Sequence, residues 1–334
     1  MAAYTAIDDP TLFFEPVKYT SNGTAIGSGG LTVTGFSFEP DWLWMKQRNA
    51  DESNGTYDSV RGVTKSLRFN GNDDEDTRTE GITAFNSNGF TCGSDSRINP
   101  SGTHPMIAWG WKESATAGYD IVSYTGNGSA RTISHSLSAV PNFIMVKNLG
   151  AASDWRVYTD YGGNGKWLQP NDNSVLQTAS TMWNDTSPTS SVFSVGTSGG
   201  VNTDTVAYIA YLFANKQGFS KFGVYSGNGS ADGAFIYLGF RPAWFMVKNT
   251  DDTDHWRIWD DQREDYAPGN PNGTTINANE SGAEYDHTSV SIDFLSNGVK
   301  FRTTGDNVSG EDFIYMAFAR APLVNSKGVP NNAV

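Results

Sequence analysis

The side chains best suited to chemistry in this chain are its clustered carboxylates. "NDDEDT" sets Asp73, Asp74, Glu75 and Asp76 side by side, "DDTD" supplies Asp251, Asp252 and Asp254, and "WDDQRED" adds Asp260 and Asp261. Two carboxyl groups flanking one bond can hydrolyse a glycan, and several together can hold calcium. These runs sit beside Asn and Gly, so solvated loops are the expected reading. None has the spacing of an EF-hand loop; a weak Ca2+ site is the next reading and catalysis the last, and no cofactor is expected. His104, His135, His255 and His287 stand apart and form no HExxH; they read as surface or capping groups. No G-x-S-x-G elbow supports a serine nucleophile. "GSGG" from Gly27 and "GTSGG" from Gly196 lack the Lys-Ser/Thr of a phosphate loop and read as flexible loops. Cys92, the single cysteine, has no activating neighbour and reads as a buried structural thiol. It excludes an internal disulfide and a cysteine-based zinc site.

The elements that must position any such groups are written three times. "EPDWLWMKQR" from Glu39 returns as "VPNFIMVKNL" and "RPAWFMVKNT", with Pro40, Pro141 and Pro242 at a constant interval of 101 residues. Lys46, Lys147 and Lys248 keep that interval, as do Tyr57, Tyr158 and Trp259. "YTSNGT", "YTGNGS" and "YSGNGS" precede the three copies; "MIAWGW", "YIAYLF" and "IYMAFA" close them. Such a period is too long for a solenoid rung or propeller blade and suits a small domain. The reading is three tandem units, 18–117, 118–221 and 222–322, between an N-terminal arm (1–17) and a polar tail (323–334).

Each unit reads as strands. Four apolar residues in a row, entered through a proline, fit a strand covered on both faces, as in the middle of a two-sheet sandwich. Trp42, Trp44, Phe143, Met145, Trp244 and Met246 are therefore expected to fill cores. Asn-Gly after Tyr-Thr or Tyr-Ser signals a hairpin turn. The expected fold class is all-β: three tandem sandwiches of jelly-roll or lectin-like type. For the repeated lysine, the structural expectation is a stem lying over the aromatic run and a head paired with a carboxylate. Asp58 and Asp260 lie twelve residues on, with Thr159 then Asp160 in the middle copy. The functional alternative is that the three lysines line a shared contact. No acidic position is common to all three copies between the proline and the terminal aromatic, so what repeats is packing and not a catalytic device, and no enzyme is expected.

Composition narrows the partners. The chain has 334 residues, 37% hydrophobic, 18% charged and 13% aromatic, with 36 glycines. Few charges and many Gly, Ser, Thr and Asn favour short strands and tight turns over solvated helices. A formal net charge of −13 opposes binding to nucleic acid and to anionic membranes. "MAAYTAIDDP" lacks the basic start and apolar core of a signal peptide, and no apolar run is long enough to insert in a membrane.

The stretch "FEPDWLWMKQR … YDSVRGVTKSL … ITAFNSNGFTCGS … MIAWGWK", with the opening "YTAIDDPTLFFEPVKYTSNGT", resembles a repeat module of bacteriophage tail-fibre-like and virion structural proteins, mostly from marine phages. The likeness is closest in the first copy. Copies two and three lack the Asp-Ser-Val-Arg-Gly and Trp-x-Trp-Lys elements. It implies a virion component with no catalytic residues to carry over, whose partners are other tail or capsid proteins, and an oligomer. Neither coiled-coil heptads nor collagen triplets mark a shaft, so a short appendage or capsid decoration is expected. Leu12, Phe13 and Phe14 are the residues expected to dock on a partner subunit. Trp167, Trp183 and Tyr285, in stretches that vary between copies, are candidates for contact with a host glycan in a lectin-like alternative. A polysaccharide depolymerase is the third reading.

Overall fold

A computed structural model describes residues 3–263, 270–286 and 289–331. The chain is nearly all β, in antiparallel sheets that do not close into a barrel. Strands β1 (Phe14–Thr20), β2 (Leu31–Thr34), β3 (Trp42–Gln47), β4 (Gly55–Asp58), β5 (Lys65–Arg68), β6 (Asp76–Thr77), β7 (Ile82–Asn86), β8 (Gly89–Cys92) and β9 (Pro105–Trp111) make the first unit. Its large sheet has the order β1-β9-β3-β4-β5-β6, and its small sheet β2-β8-β7 lies over one face. The second unit holds β10 (Tyr119–Thr125), β11 (Arg131–Ser134), β12 (Phe143–Asn148), β13 (Arg156–Thr159), β14 (Lys166–Trp167), β15 (Gln177–Thr178), β16 (Val192–Val195) and β17 (Ala207–Phe213). Two four-residue helices, α1 (Ser180–Trp183) and α2 (Gly199–Asn202), interrupt it. The third comprises β18 (Ser220–Ser226), β19 (Phe235–Tyr237), β20 (Phe240–Asn249), β21 (Arg257–Asp260), β22 (Thr274–Asn277), β23 (Tyr285–Asp286), β24 (Ile292–Leu295), β25 (Gly298–Phe301) and β26 (Asp312–Pro322). Its sheets, β18-β26-β20-β21-β22-β23 and β19-β25-β24, have the strand order of the first unit. The second unit keeps the β10-β17-β12-β13 part of that order.

The repeated phrase lies on β3, β12 and β20, each between two strands and buried along its length except at half-buried Arg241. Its alternate residues enter different cores. Leu43 and Met45, Ile144 and Val146, and Phe245 and Val247 face the small sheet of their own unit. Trp42 and Trp44, Phe143 and Met145, and Trp244 and Met246 face a single central core supplied by all three units. A two-sheet sandwich would leave that second face wet; the other units dry it. Rings from different units touch there. Trp42 stacks on Tyr211 at 4.8 Å, Trp111 meets Trp244 edge-on at 6.0 Å, and Phe143 approaches Phe222 at 6.0 Å. Burial of such aromatics is worth roughly 2–3 kcal/mol each.

Three local expectations change. The Asn-Gly landmarks are not hairpin turns: β1 and β2 belong to different sheets, and the chain turns a corner between them. Pro40 and Pro141 precede their strands, but Pro242 lies inside β20, where the register shifts on both its sides. A bulge tolerates the missing N–H. "GTSGG" leads into α2, with Ser198 Oγ accepting from Gly200 N at 3.3 Å, and is not a free loop. The boundaries at 17/18 and 221/222 fall within β1 and β18. Among the described residues no helix is long and apolar enough to cross a membrane.

Candidate functional site

The repeated lysines lead to the three seams between units. Burial is complete for Lys46, Lys147 and Lys248, and each Nζ donates to backbone carbonyls of another unit. Lys46 reaches Glu280 O at 2.9 Å and Ser281 O at 2.8 Å. Lys147 reaches Asn72 O at 3.3 Å, and Lys248 reaches Asn173 O at 3.2 Å. Carbonyls of their own units complete the shells: Ser153 O lies 2.7 Å from Lys147 and Asp252 O 3.3 Å from Lys248. The head therefore does not pair with the carboxylate twelve residues on, as the sequence suggested; it acts between units. Burial pushes Lys46 down to about 7 and Lys147 and Lys248 to about 8, against the pull of nearby Asp and Glu charges. A carbonyl carries no full negative charge to offset the loss of water around an ammonium, so desolvation wins.

The seams repeat in further detail. Trp155 Nε1 donates to Arg68 O at 3.0 Å, Trp256 Nε1 to Gln169 O at 2.9 Å, and Asn54 Nδ2, at the corresponding place, to Ala278 O at 2.9 Å. Main-chain bonds run Glu75 N to Leu149 O (3.2 Å), Leu176 N to Thr250 O (3.0 Å) and Glu284 N to Arg48 O (2.8 Å). The first unit thus meets the second, the second the third, and the third the first: a closed ring. Arg48 and Glu284 add a charge pair at 2.6 Å to the closing seam.

Asp58 and Asp260 also serve the seams. Asp58 takes Arg61 Nε at 2.5 Å and Tyr211 Oη, from the second unit, at 2.7 Å. Asp260 takes Arg263 Nε at 2.6 Å and Trp109 Nε1, from the first unit, at 3.0 Å. The pairing registers put Thr159 in the matching position of β13 and Met316 in that of Tyr211 and Trp109. Where the acceptor is lost, the donor is lost with it.

Most of the remaining chemistry-bearing groups are likewise engaged, while Asp74 stands exposed. Asp73 pairs with Arg68, Glu75 with Lys65 at 3.2 Å, and Asp76 with Arg78 at 2.8 Å. Asp254 holds Arg257 at 2.8 Å, Asp261 holds Arg320 at 2.6 Å, and Asp251 Oδ2 accepts from Asp312 N at 2.7 Å. Among the described residues no group of three His, Cys, Asp or Glu is arranged to hold a metal. His104 and His135 contact the carbonyls of Ser101 and Thr189, His255 lies against Asn279, and His287 is outside the described residues. Cys92 is buried, its thiol pushed up to about 12 by burial and then by Asp95.

The other named residues separate. Tyr57 is buried and donates to Asp95 at 2.8 Å; Tyr158 and Trp259 lie in their units' own cores. Of the docking residues only Leu12 is exposed. Phe13 packs on Phe219, and Phe14 is in the central core, 4.9 Å from Trp111 and 4.8 Å from Phe318, because β1 begins there. Of the glycan candidates, Trp183 is buried in α1, 1% exposed, its Nε1 bound to Lys166 O. Variability between copies marked a helix insertion and not an open surface. Trp167 is half-buried under Arg156, and Tyr285 is half-buried with its hydroxyl on Asn277.

Sequence reasoning missed the seam donors Asn54, Trp155 and Trp256, although the two tryptophans keep the 101-residue interval. It also missed the buried Asn99, Asn202 and Asn307. Their Oδ1 atoms accept from the N–H of Asn22 (2.8 Å), Asn127 (3.0 Å) and Asn228 (3.0 Å), the asparagines of the Asn-Gly corners. Loops of different length hide that regularity.

No curated protein matches the chain. A family model described as a domain of unknown function, DUF7483, matches residues 9–322, a span that includes all three units. The chain belongs to the DUF7483 family.

Proposed function

We propose that this chain is a bacteriophage virion structural protein on the particle exterior, a short tail appendage or capsid decoration, built by triplication of one β-sandwich unit. The observation that carries the reading is where the polar chemistry goes: the repeated lysines, the buried aspartates and the indole N–H groups tie units together. A ring closed within one chain, around a shared aromatic core, gives a stiff knob of the kind an exposed particle component needs. The resemblance of the first copy to virion repeat modules points the same way. Its partners are other tail or capsid proteins and, through its outer surface, the host envelope.

Mass spectrometry of gradient-purified particles should find the chain in stoichiometric amount, and antibodies raised against it should label intact particles. Its absence from particles, or its release only on disruption, would overturn the assignment. A lectin-like activity is compatible with this role and has its own observation, developed next. Among the described residues one cleft gathers Asp73, Asp74, Glu75 and Asp76, but three of them are paired with Arg68, Lys65 and Arg78, which does not favour a depolymerase.

A further inference from the structure

We propose that the third unit carries a binding site for an acidic sugar, a pyranose ring bearing a carboxylate, in the cleft between β18, β19 and the N-terminal arm. Whether the chain is part of a virion does not enter the argument, which rests on the internal copies as controls. On β19, Phe235 and Tyr237 point to solvent on either side of buried Ile236, 46% and 48% exposed. The pairing registers match these positions to Thr32 and Thr34 on β2 and to Thr132 and Ser134 on β11, all exposed. Two units place small hydroxyl residues where the third places two aromatic rings. Packing does not require them, since the equivalent strand folds without them twice.

The charge beside them is reversed as well. Lys221 on β18 occupies the position held by Glu15 on β1 and Asp120 on β10. Those two carboxylates accept from the main-chain nitrogens of Ser37 and Ser136. Lys221 instead donates to Tyr237 O at 2.5 Å, its Nζ 5.5 Å from the centre of the Tyr237 ring. It keeps further N–H groups to offer. Lys216 stands nearby, and among the described residues neither lysine has a carboxylate within ion-pair distance, in a chain of net charge −13. Burial alone lowers both.

Tyr237 and the two lysines border real space, with Phe235 outside it on the same face of β19. A cavity of about 290 Å³ is bounded by Tyr4, Lys216, Gln217, Lys221, Tyr237 and Gly239, and a second of about 330 Å³ adjoins it across Tyr4, Lys216 and Gln217. Tyr4 is fixed by its hydroxyl to Gly239 O at 2.9 Å, so the arm forms a wall. Aromatic faces suit the C–H faces of a sugar ring, Gln217 and the tyrosine hydroxyls suit its hydroxyl groups, and two lysines free of carboxylate partners suit an acid substituent.

The test uses the full chain with trigalacturonate as the acidic probe and maltotriose as the neutral one, followed by saturation-transfer NMR and titration calorimetry at low and high salt. Trigalacturonate should bind, more weakly at high salt, and maltotriose should bind at least about tenfold more weakly. Tyr237→Ser, which gives the residue type found at Ser134, should weaken binding about tenfold while leaving the melting temperature unchanged. Lys216→Gln should weaken it similarly, and Lys221→Glu, the residue type of Glu15, should abolish it. Binding of neither sugar, equal or stronger binding of maltotriose, or full binding by both Tyr237→Ser and Lys216→Gln would overturn the proposal. None of these results depends on finding the chain in particles.

Discussion

A buried lysine that donates to carbonyls has a different fate from one that meets a carboxylate, and the three repeated lysines show it. Their folded-state values, about 7 for Lys46 and about 8 for Lys147 and Lys248, lie below the value of about 10.4 for an unfolded chain. Between those values the unfolded chain binds more protons than the folded one, so stability must rise with pH across that window. Above about pH 10 the sign reverses, because burial raises Tyr57, Tyr119, Tyr124, Tyr211 and Tyr225, and only the unfolded tyrosines ionise. Melting temperatures measured from pH 7 to 11 should peak near about pH 9–10; a steady fall from pH 7 would refute neutral seam lysines. The Asp58–Tyr211 contact is testable by a double-mutant cycle with Asp58→Asn and Tyr211→Phe. Coupling of about 1–3 kcal/mol in urea unfolding is expected, whereas simple additivity would reduce that contact to chance proximity. Lysine recurrence was legible in the sequence. Its acceptors were not, because a main-chain carbonyl on another unit leaves no letter to read.

At the scale of elements, the Asn-Gly corners show what a local signal can and cannot say. Gly23, Gly128 and Gly229 all have φ between +61° and +68°, the left-handed region the dipeptide predicts. The side chains of Asn22, Asn127 and Asn228 accept from the N–H two residues on, at 2.9, 3.0 and 3.0 Å. A turn was therefore legible, and its role was not: what converts it from a hairpin into a corner is the distant Asn99, Asn202 or Asn307. The tyrosine before each corner completes the clamp, as Tyr19, Tyr124 and Tyr225 donate to Ile98 O, Val201 O and Asp306 O at 2.7, 2.7 and 2.6 Å. Asn202→Ala strips the second corner of its buried acceptor and leaves Gly196 O without its donor. It should cost about 2–4 kcal/mol in urea unfolding; a loss under about 0.5 kcal/mol would mean the corner holds without it. The strand phrase itself was legible because four consecutive apolar residues admit few homes. Its second covered face was assigned to a sandwich, since sequence does not tell a neighbouring sheet from a neighbouring unit.

For the whole molecule, the central claim is that three units share one interior. Every large sheet turns the face that carries Trp42 and Trp44, or their counterparts Phe143 and Met145 or Trp244 and Met246, into the same aromatic core, and each seam carries the same lysine, indole or amide and main-chain bonds. Ring closure follows from that burial: removing one unit would expose the large-sheet faces of the other two, leaving one neighbour's carbonyls without their lysine and the other's lysine without its acceptors across the seam. The arm takes part through Ile7 and Phe14, so the aromatic start of the chain is a piece of the core, and its exposed portion is free to line the sugar cleft proposed above. Differential scanning calorimetry of the full chain tests this most directly. A shared interior predicts one transition with calorimetric and van't Hoff enthalpies equal. Two or three resolved transitions, each with the enthalpy of a unit of about 100 residues, roughly 60–80 kcal/mol, would show sandwiches that merely touch and would contradict it.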